Sequence, residues 1–208
     1  MAIRGLEKGK KPALLISECQ KGVIGPGLSV FEGLVSEAAE REIVPRIDSL
    51  AKAFREAGYP VVHLHVVHKP GYPDLPVTNV ILANSTRHGR MVIGSVDVEP
   101  VDELRPSGND IIHARSFSLV GFHGTELDAT LRHMGVDTLV LAGVSTNVAI
   151  SGTALCGSDL GYQVVVAEDC TAGSDAKTHE FICKNLLPLY STVSDSSTIS
   201  DTLGALES

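Results

Sequence analysis

Glu18 closes the apolar run Pro12-Ala-Leu-Leu-Ile-Ser17. A carboxyl group at the end of such a run is not placed there for stability alone, and apolar surroundings suit it to general acid or base work. Val23, Ile24 and Phe117 are its candidate apolar neighbours. A second candidate is Leu139-Val-Leu-Ala-Gly-Val-Ser-Thr-Asn-Val-Ala-Ile150. It opens as a buried strand, breaks at Gly143 and resumes with a helix-start signal at Ser145, Thr146 and Asn147. A sharp strand-to-helix turn presents free N–H groups to an anion. It therefore offers Val144, Ser145, Thr146 and Ala149 as substrate-binding positions, although Thr146 and Asn147 also fit the ordinary role of caps.

Other residue sets carry weaker signals. Arg87 and Arg90 lie on a long proline-punctuated stretch, 69–109, where a pair of arginines suits clamping a substrate carboxylate and equally suits a solvated loop or subunit contact. His63 and His65 share one face of a strand at period two, with His68 near its end. Polar residues at a strand's carboxyl end explain them better than zinc, so no metal and no cofactor are expected. The four cysteines, Cys19, Cys156, Cys170 and Cys183, show no CxxC spacing and read as small core residues.

These groups require a scaffold, and the hydrophobic pattern supplies one. Strands are predicted at 12–17, 60–67, 110–114, 138–142, 163–168 and 189–193. Helices are predicted from 43 to Gly58, from a Thr125–Asp128 capping box to Gly135 with Leu127, Leu131 and Met134 inward, from 146 to about 160, and over 176–187. Pro45 falls near the first turn of its helix, where its missing N–H is tolerated. Strands alternating with helices predict a three-layer α/β/α, Rossmann-like architecture with a mainly parallel six-stranded sheet. Residues 1–11 read as a polar arm.

The chain has 208 residues, 43% hydrophobic and 20% charged, with a net charge of −8. Length and composition fit one domain over 1–208 with a sizeable core. The negative charge argues against nucleic acid and anionic membranes as partners. With no signal peptide and no membrane span in the pattern, a cytoplasmic protein acting on a small molecule is expected.

The order of motifs resembles the isochorismatase-like hydrolase family across about residues 12–193. The carriers are Ala13-Leu-Leu-Ile-Ser-Glu-Cys-Gln20, Phe122-His-Gly-Thr-Glu-Leu-Asp128, Gly143-Val-Ser-Thr-Asn-Val-Ala-Ile150 and Gly161-Tyr-Gln-Val-Val-Val-Ala-Glu-Asp169. Most of that family are amidases using an Asp, a Lys and a Cys. By resemblance, Glu18 stands at the Asp position and Ala149 at the Cys position. A methyl group cannot attack a carbonyl, so the covalent thioester route is absent. Cys156 lies about two helical turns, roughly 10.5 Å, beyond Ala149 and is too far to replace it. The Lys position falls at Ala114 or Arg115, and Arg115 is favoured because it keeps a cation, though a guanidinium does not shuttle protons. The resemblance also implies that the peptide before Ser145 can be cis. No Asp-x-His metal arrangement like that of the family's nicotinamidases is present.

The resemblance implies a hydrolase of a vinyl ether or amide bond in a small polar or anionic molecule, with Glu18 as general acid or base and Arg115 as its electrostatic partner. The alternative is a catalytically inactive small-molecule-binding or scaffold protein of the same fold. A homodimer or larger homo-oligomer is expected from the resemblance and the long loop.

Overall fold

The computed structural model describes residues 3–204 and 206. Six strands form, β1 (Pro12–Ser17), β2 (Val61–Val66), β3 (Ile111–Arg115), β4 (Thr138–Val144), β5 (Gln163–Ala172) and β6 (Thr192–Ser194). They lie in the order β3-β2-β1-β4-β5-β6, and every neighbouring pair is parallel. β1 and β4 are buried at every residue because helices cover both faces of the sheet. On one face α3 (Ile43–Glu56) presents Ile43, Ile47, Leu50 and Phe54, and α8 (Ser196–Leu203) presents Ile199 and Leu203. On the other, α5 (Leu127–His133) contributes Leu127 and Leu131, and α6 (Ser151–Asp159) contributes Ala154. The three-layer parallel architecture is the one predicted. Burying each of these large side chains contributes about 1.5–3 kcal/mol.

The strand order reverses direction between β1 and β4. In open α/β sheets that switch point leaves a crevice at the carboxyl ends of the strands. Glu18 follows β1 there, and the 145–150 turn follows β4.

Several local expectations change in the folded chain. Gly143 does not end its strand: β4 runs to Val144, and its pairing with β5 shifts register between Leu141 and Gly143. β5 extends to Ala172 rather than stopping at Glu168, and the predicted strand 189–193 begins only at Thr192. Met134 is 38% exposed, because α5 ends at His133 and Val136 fills the core instead. The reciprocal capping box does not form. The Thr125 hydroxyl accepts from the Leu127 N–H and donates to the Gly121 carbonyl, while the Asp128 carboxylate bonds the Tyr162 hydroxyl. The arm is not simply polar, since Ile3 and Leu6 are buried. The stretch 69–109 contains α4 (Val80–Arg87), started by the Asn79 side chain accepting from the Leu82 N–H. Sequence reading also passed over α1 (Lys21–Ile24) and α2 (Glu32–Glu40). α7 spans Ala176–Phe181. Among the described residues, no helix is long and apolar enough to cross a membrane.

Candidate active site

Glu18 has φ +54°, a left-handed conformation that a non-glycine residue adopts at an energetic cost and that concentrates at functional sites. Its N–H donates to the Leu64 carbonyl on β2 (2.9 Å), and its own carbonyl accepts from the Gln20 N–H (2.8 Å). Gln20 is fully buried. Its side-chain NH2 donates to the Val66 and Val98 carbonyls, and its side-chain oxygen accepts from the Val66 N–H at 2.8 Å. One amide thus ties the chain two residues beyond Glu18 to the end of β2 and to the segment that precedes β3.

Arg115 ends β3, two strands away, and is 5% exposed. Its length carries the guanidinium past β2. Nη2 donates to the Glu18 carboxylate and Nε donates to the Ser118 carbonyl at 2.8 Å. Ala114 points to solvent, so Arg115 is the residue the fold brings to Glu18. Burial raises the Glu18 carboxyl pKa above its ordinary value, and the Arg115 charge and hydrogen bond pull it down without cancelling that effect. His65 lies nearby on β2, and burial, then the His63 and Arg115 charges, hold its pKa at about 4.

The turn after β4 forms the facing wall. Gly143 has φ +100°, and a Cβ there would lie 2.2 Å from the Ser17 carbonyl oxygen, so glycine lets β1 and β4 close together at the site. The Val144–Ser145 peptide is cis. The Ser145 carbonyl accepts from the Val148 and Ile150 N–H groups as the chain enters a wide helical turn, Thr146–Ile150, that leads into α6. Neither Thr146 nor Asn147 caps this helix. The Thr146 hydroxyl is fully buried against His179 Nδ1 (2.9 Å), and Asn147 Oδ1 accepts from the Ser174 N–H (3.1 Å).

Behind the turn, His179 Nε2 meets Glu168 Oε1 at 2.8 Å. A carboxylate only accepts, so Nε2 carries the proton, and in the neutral ring Nδ1 accepts from Thr146. Arg41 donates to the same Glu168 oxygen at 2.7 Å. The His179 hydrogen bond, with Arg41, holds the Glu168 carboxyl down at about 2. Among the described residues, Glu168, His179 and Cys183 form the set with metal-ligand proximity. In this structure they hold one another, with Arg41 paired to Glu168 and Cys183 Sγ 3.6 Å from His179 Nε2. His63 instead bonds Asp110 (3.1 Å), with His65 edge-on to it, while His68 lies against Tyr72.

A cavity of about 470 Å³ opens between Glu18 and the turn. Ser145 and Ala149 line it, as does Val23. Val144 and Thr146 are fully buried and lie behind its wall. Arg87 sits exposed on the last turn of α4, outside the lining. Phe117 lines an adjacent surface hollow with Pro73, Asp74, Leu75 and Pro76. Ile24 is in the core. Sequence reading missed Gln20, Ser116 and the whole wall contributed by α4. For α4 the Asn79 cap ahead of Val80-Ile-Leu82 was the available signal. Among the described residues no cysteine lines the cavity.

Comparison with known proteins identifies the family and the fold. The family model described as the isochorismatase domain matches residues 12–198. An isochorismatase family protein of Escherichia coli O157:H7, YecD, is 28% identical over 191 residues, covering 88% of this chain and 92% of the relative. The maleamate amidohydrolase of Pseudomonas putida is 27% identical over 198 residues, covering 95% and 88%. The crystal structure of an isochorismatase family protein from Desulfovibrio vulgaris superposes with a TM-score of 0.81 at 27% identity, covering 94% of this chain and 100% of that one. With its parallel sheet, its crevice at the β1–β4 switch point and a family match over nearly its whole length, this chain belongs to the isochorismatase family.

Proposed function

We propose that this chain is a hydrolase of a small molecule that uses no cysteine nucleophile and takes Glu18 as its general acid. The observation that carries the reading is the Glu18–Arg115 pair opening onto a cavity where Ala149, not a thiol, faces it. Burial that raises the Glu18 pKa supports a carboxyl that holds a proton to higher pH than an exposed one. Arg115 stays charged and orients that carboxyl without moving protons itself.

Two bonds suit such an acid. In a vinyl ether, Glu18 would protonate the vinyl carbon, water would add to the oxocarbenium ion, and the hemiketal would collapse to carbonyl and alcohol. In an amide, Glu18 would give its proton to the departing nitrogen as water adds to the carbonyl, and the carboxylate so formed would take back the proton that the water sheds. The backbone of the turn within residues 144–149, where Ser145 and Ala149 line the cavity, would then hold the oxyanion. A relative named for maleamate hydrolysis supports the amide. A small-molecule-binding protein without catalysis is the second reading, supported by the methyl group at Ala149. The exposed Val77, Val80, Ile93 and Val96 on the 69–109 stretch support the expected homo-oligomer.

The test is Glu18→Gln, which keeps shape and removes the proton. On any substrate found by screening primary amides (maleamate included) and vinyl ethers, it should lower kcat by about two to four orders of magnitude. Wild-type kcat should fall as pH rises through the raised Glu18 pKa, and the opposite slope would overturn the acid role. Full turnover by Glu18→Gln would sink the catalytic assignment. Ligand binding without turnover would favour the binding protein.

A further inference from the structure

We propose that the molecule held beside Glu18 is uncharged and mainly apolar, and that His68 and Ser116 grip its one polar group. The inference rests on the proposed function only in taking this cavity as the substrate site. Apolar surface, from Phe31, Leu34, Val66, Ile81, Leu119 and Val148 among others, makes up most of the wall, and the volume of about 470 Å³ falls among ordinary small-molecule pockets.

Among the described residues no lysine or arginine lines the cavity. The cations around it have other partners. Arg115 is bound to Glu18 and the Ser118 carbonyl, with its unpartnered Nη1 buried outside the lining, and Arg90 to Asp97 and the Leu28 carbonyl. Lys21 is bound to Glu99 and Asp102. Arg87, the residue expected to clamp a carboxylate, is exposed elsewhere on α4. A carboxylate entering this cavity would therefore lose its hydration with no cation in the lining to replace it.

Of the polar residues that line the cavity, His68 and Ser116 have buried side-chain atoms left without a partner. His68 is 1% exposed, and neither ring nitrogen has a hydrogen-bond partner; the Ser116 hydroxyl oxygen is likewise buried and unpartnered. Burial, the largest influence, pushes the His68 pKa down, with the Asp74 charge opposing it, so the ring is neutral at pH 7.5. A neutral imidazole has one donor and one acceptor, and a hydroxyl has both. That set is complementary to a neutral group that both gives and takes hydrogen bonds, of which a carboxamide is the simplest. His68 is also fixed in place through its main chain, because its backbone N–H donates to the Met91 carbonyl (2.7 Å) and its backbone carbonyl accepts from the Ile93 N–H (2.9 Å).

The experiment uses the full chain at pH 7.5 and compares octanamide with octanoate, and toluene as a purely apolar probe, by calorimetry or ligand-observed NMR. Octanamide should bind at least about 100-fold more tightly than octanoate, the discrimination expected when a charge is buried unpaired. His68→Phe should weaken octanamide about tenfold, the scale of one lost hydrogen bond, and leave toluene unchanged. His68→Gln, which restores a donor and an acceptor, should recover part of the loss, and thermal melts of both variants verify folding. Octanoate or maleamate binding as tightly as octanamide would overturn the proposal, as would no octanamide binding up to its solubility limit. Because the readout is binding, the two readings fail separately. Amide-selective binding with no turnover would leave this inference standing and remove the hydrolase. Anion-selective binding with a Glu18-dependent turnover would do the reverse.

Discussion

Glu168→Gln isolates the relay that holds the 145–150 turn from behind. Glu168 accepts from His179 and from Arg41, and His179 in turn holds the Thr146 hydroxyl. These partners lower the Glu168 carboxyl from its usual 4.5 to about 2. A displacement of that size corresponds to roughly 3 kcal/mol of preference for the ionised form in the folded state. The Glu168 side chain keeps 37% exposure, so solvent screens the interaction, and about 1–2 kcal/mol is the contribution to expect at neutral pH. Because the folded-state pKa lies below the unfolded one, this stability is fully present above about 4.5 and disappears as pH falls toward about 2. Urea melts of wild type and Glu168→Gln should therefore differ by about 1–2 kcal/mol at pH 7 and converge near pH 2. For a chain of this length the neutral-pH gap equals a Tm difference of about 2–8 °C. Taking the difference between the two proteins cancels the other carboxylates, which titrate in both. A gap that stays constant from pH 7 down to pH 2.5 would refute the electrostatic account and leave only a packing effect. Equal stability at pH 7 would refute the relay itself.

Two further outcomes follow from the site. Iodoacetamide at pH 8 on the native chain should give at most one adduct by intact mass, at the partly exposed Cys156. Cys19, Cys170 and Cys183 are buried, and burial pushes the last two thiols up to about 12, so they should react only on unfolding; rapid modification of one of them, blocked by a bound ligand, would contradict a thiol-free site. Gly143→Ala should destabilise the chain by more than about 3 kcal/mol or prevent folding, because it combines a strained φ with a Cβ 2.2 Å from the Ser17 carbonyl oxygen. Wild-type stability in urea would mean that β1 and β4 separate there without penalty.

The six strands and the helices packed at α3 and α5 to α7 are legible in the sequence because each is a local matter. An apolar run of strand length is buried wherever it lies, and a 3.6-residue period marks one helix face regardless of what covers it. The motifs around Glu18 and Gly143 are local as well, which is why the family resemblance was visible before any coordinate. The partners of those residues are not local. Arg115 rather than Ala114 meets Glu18 because β3 lies beyond β2 and only a long side chain crosses it, a consequence of strand order. His63 and His65 keep the strand's period of two, but β2 ends at Val66, so the chain turns His68 into the cavity wall by a rule the period does not contain. Arg87 has the right charge for a carboxylate clamp, yet the turn of α4 on which it sits faces solvent. Thr146 carries a cap's side chain, but His179, brought over from α7, takes its hydroxyl first. In each case the chemistry of the residue type was readable, and its direction was set by a contact between segments that only strand order and register bring together.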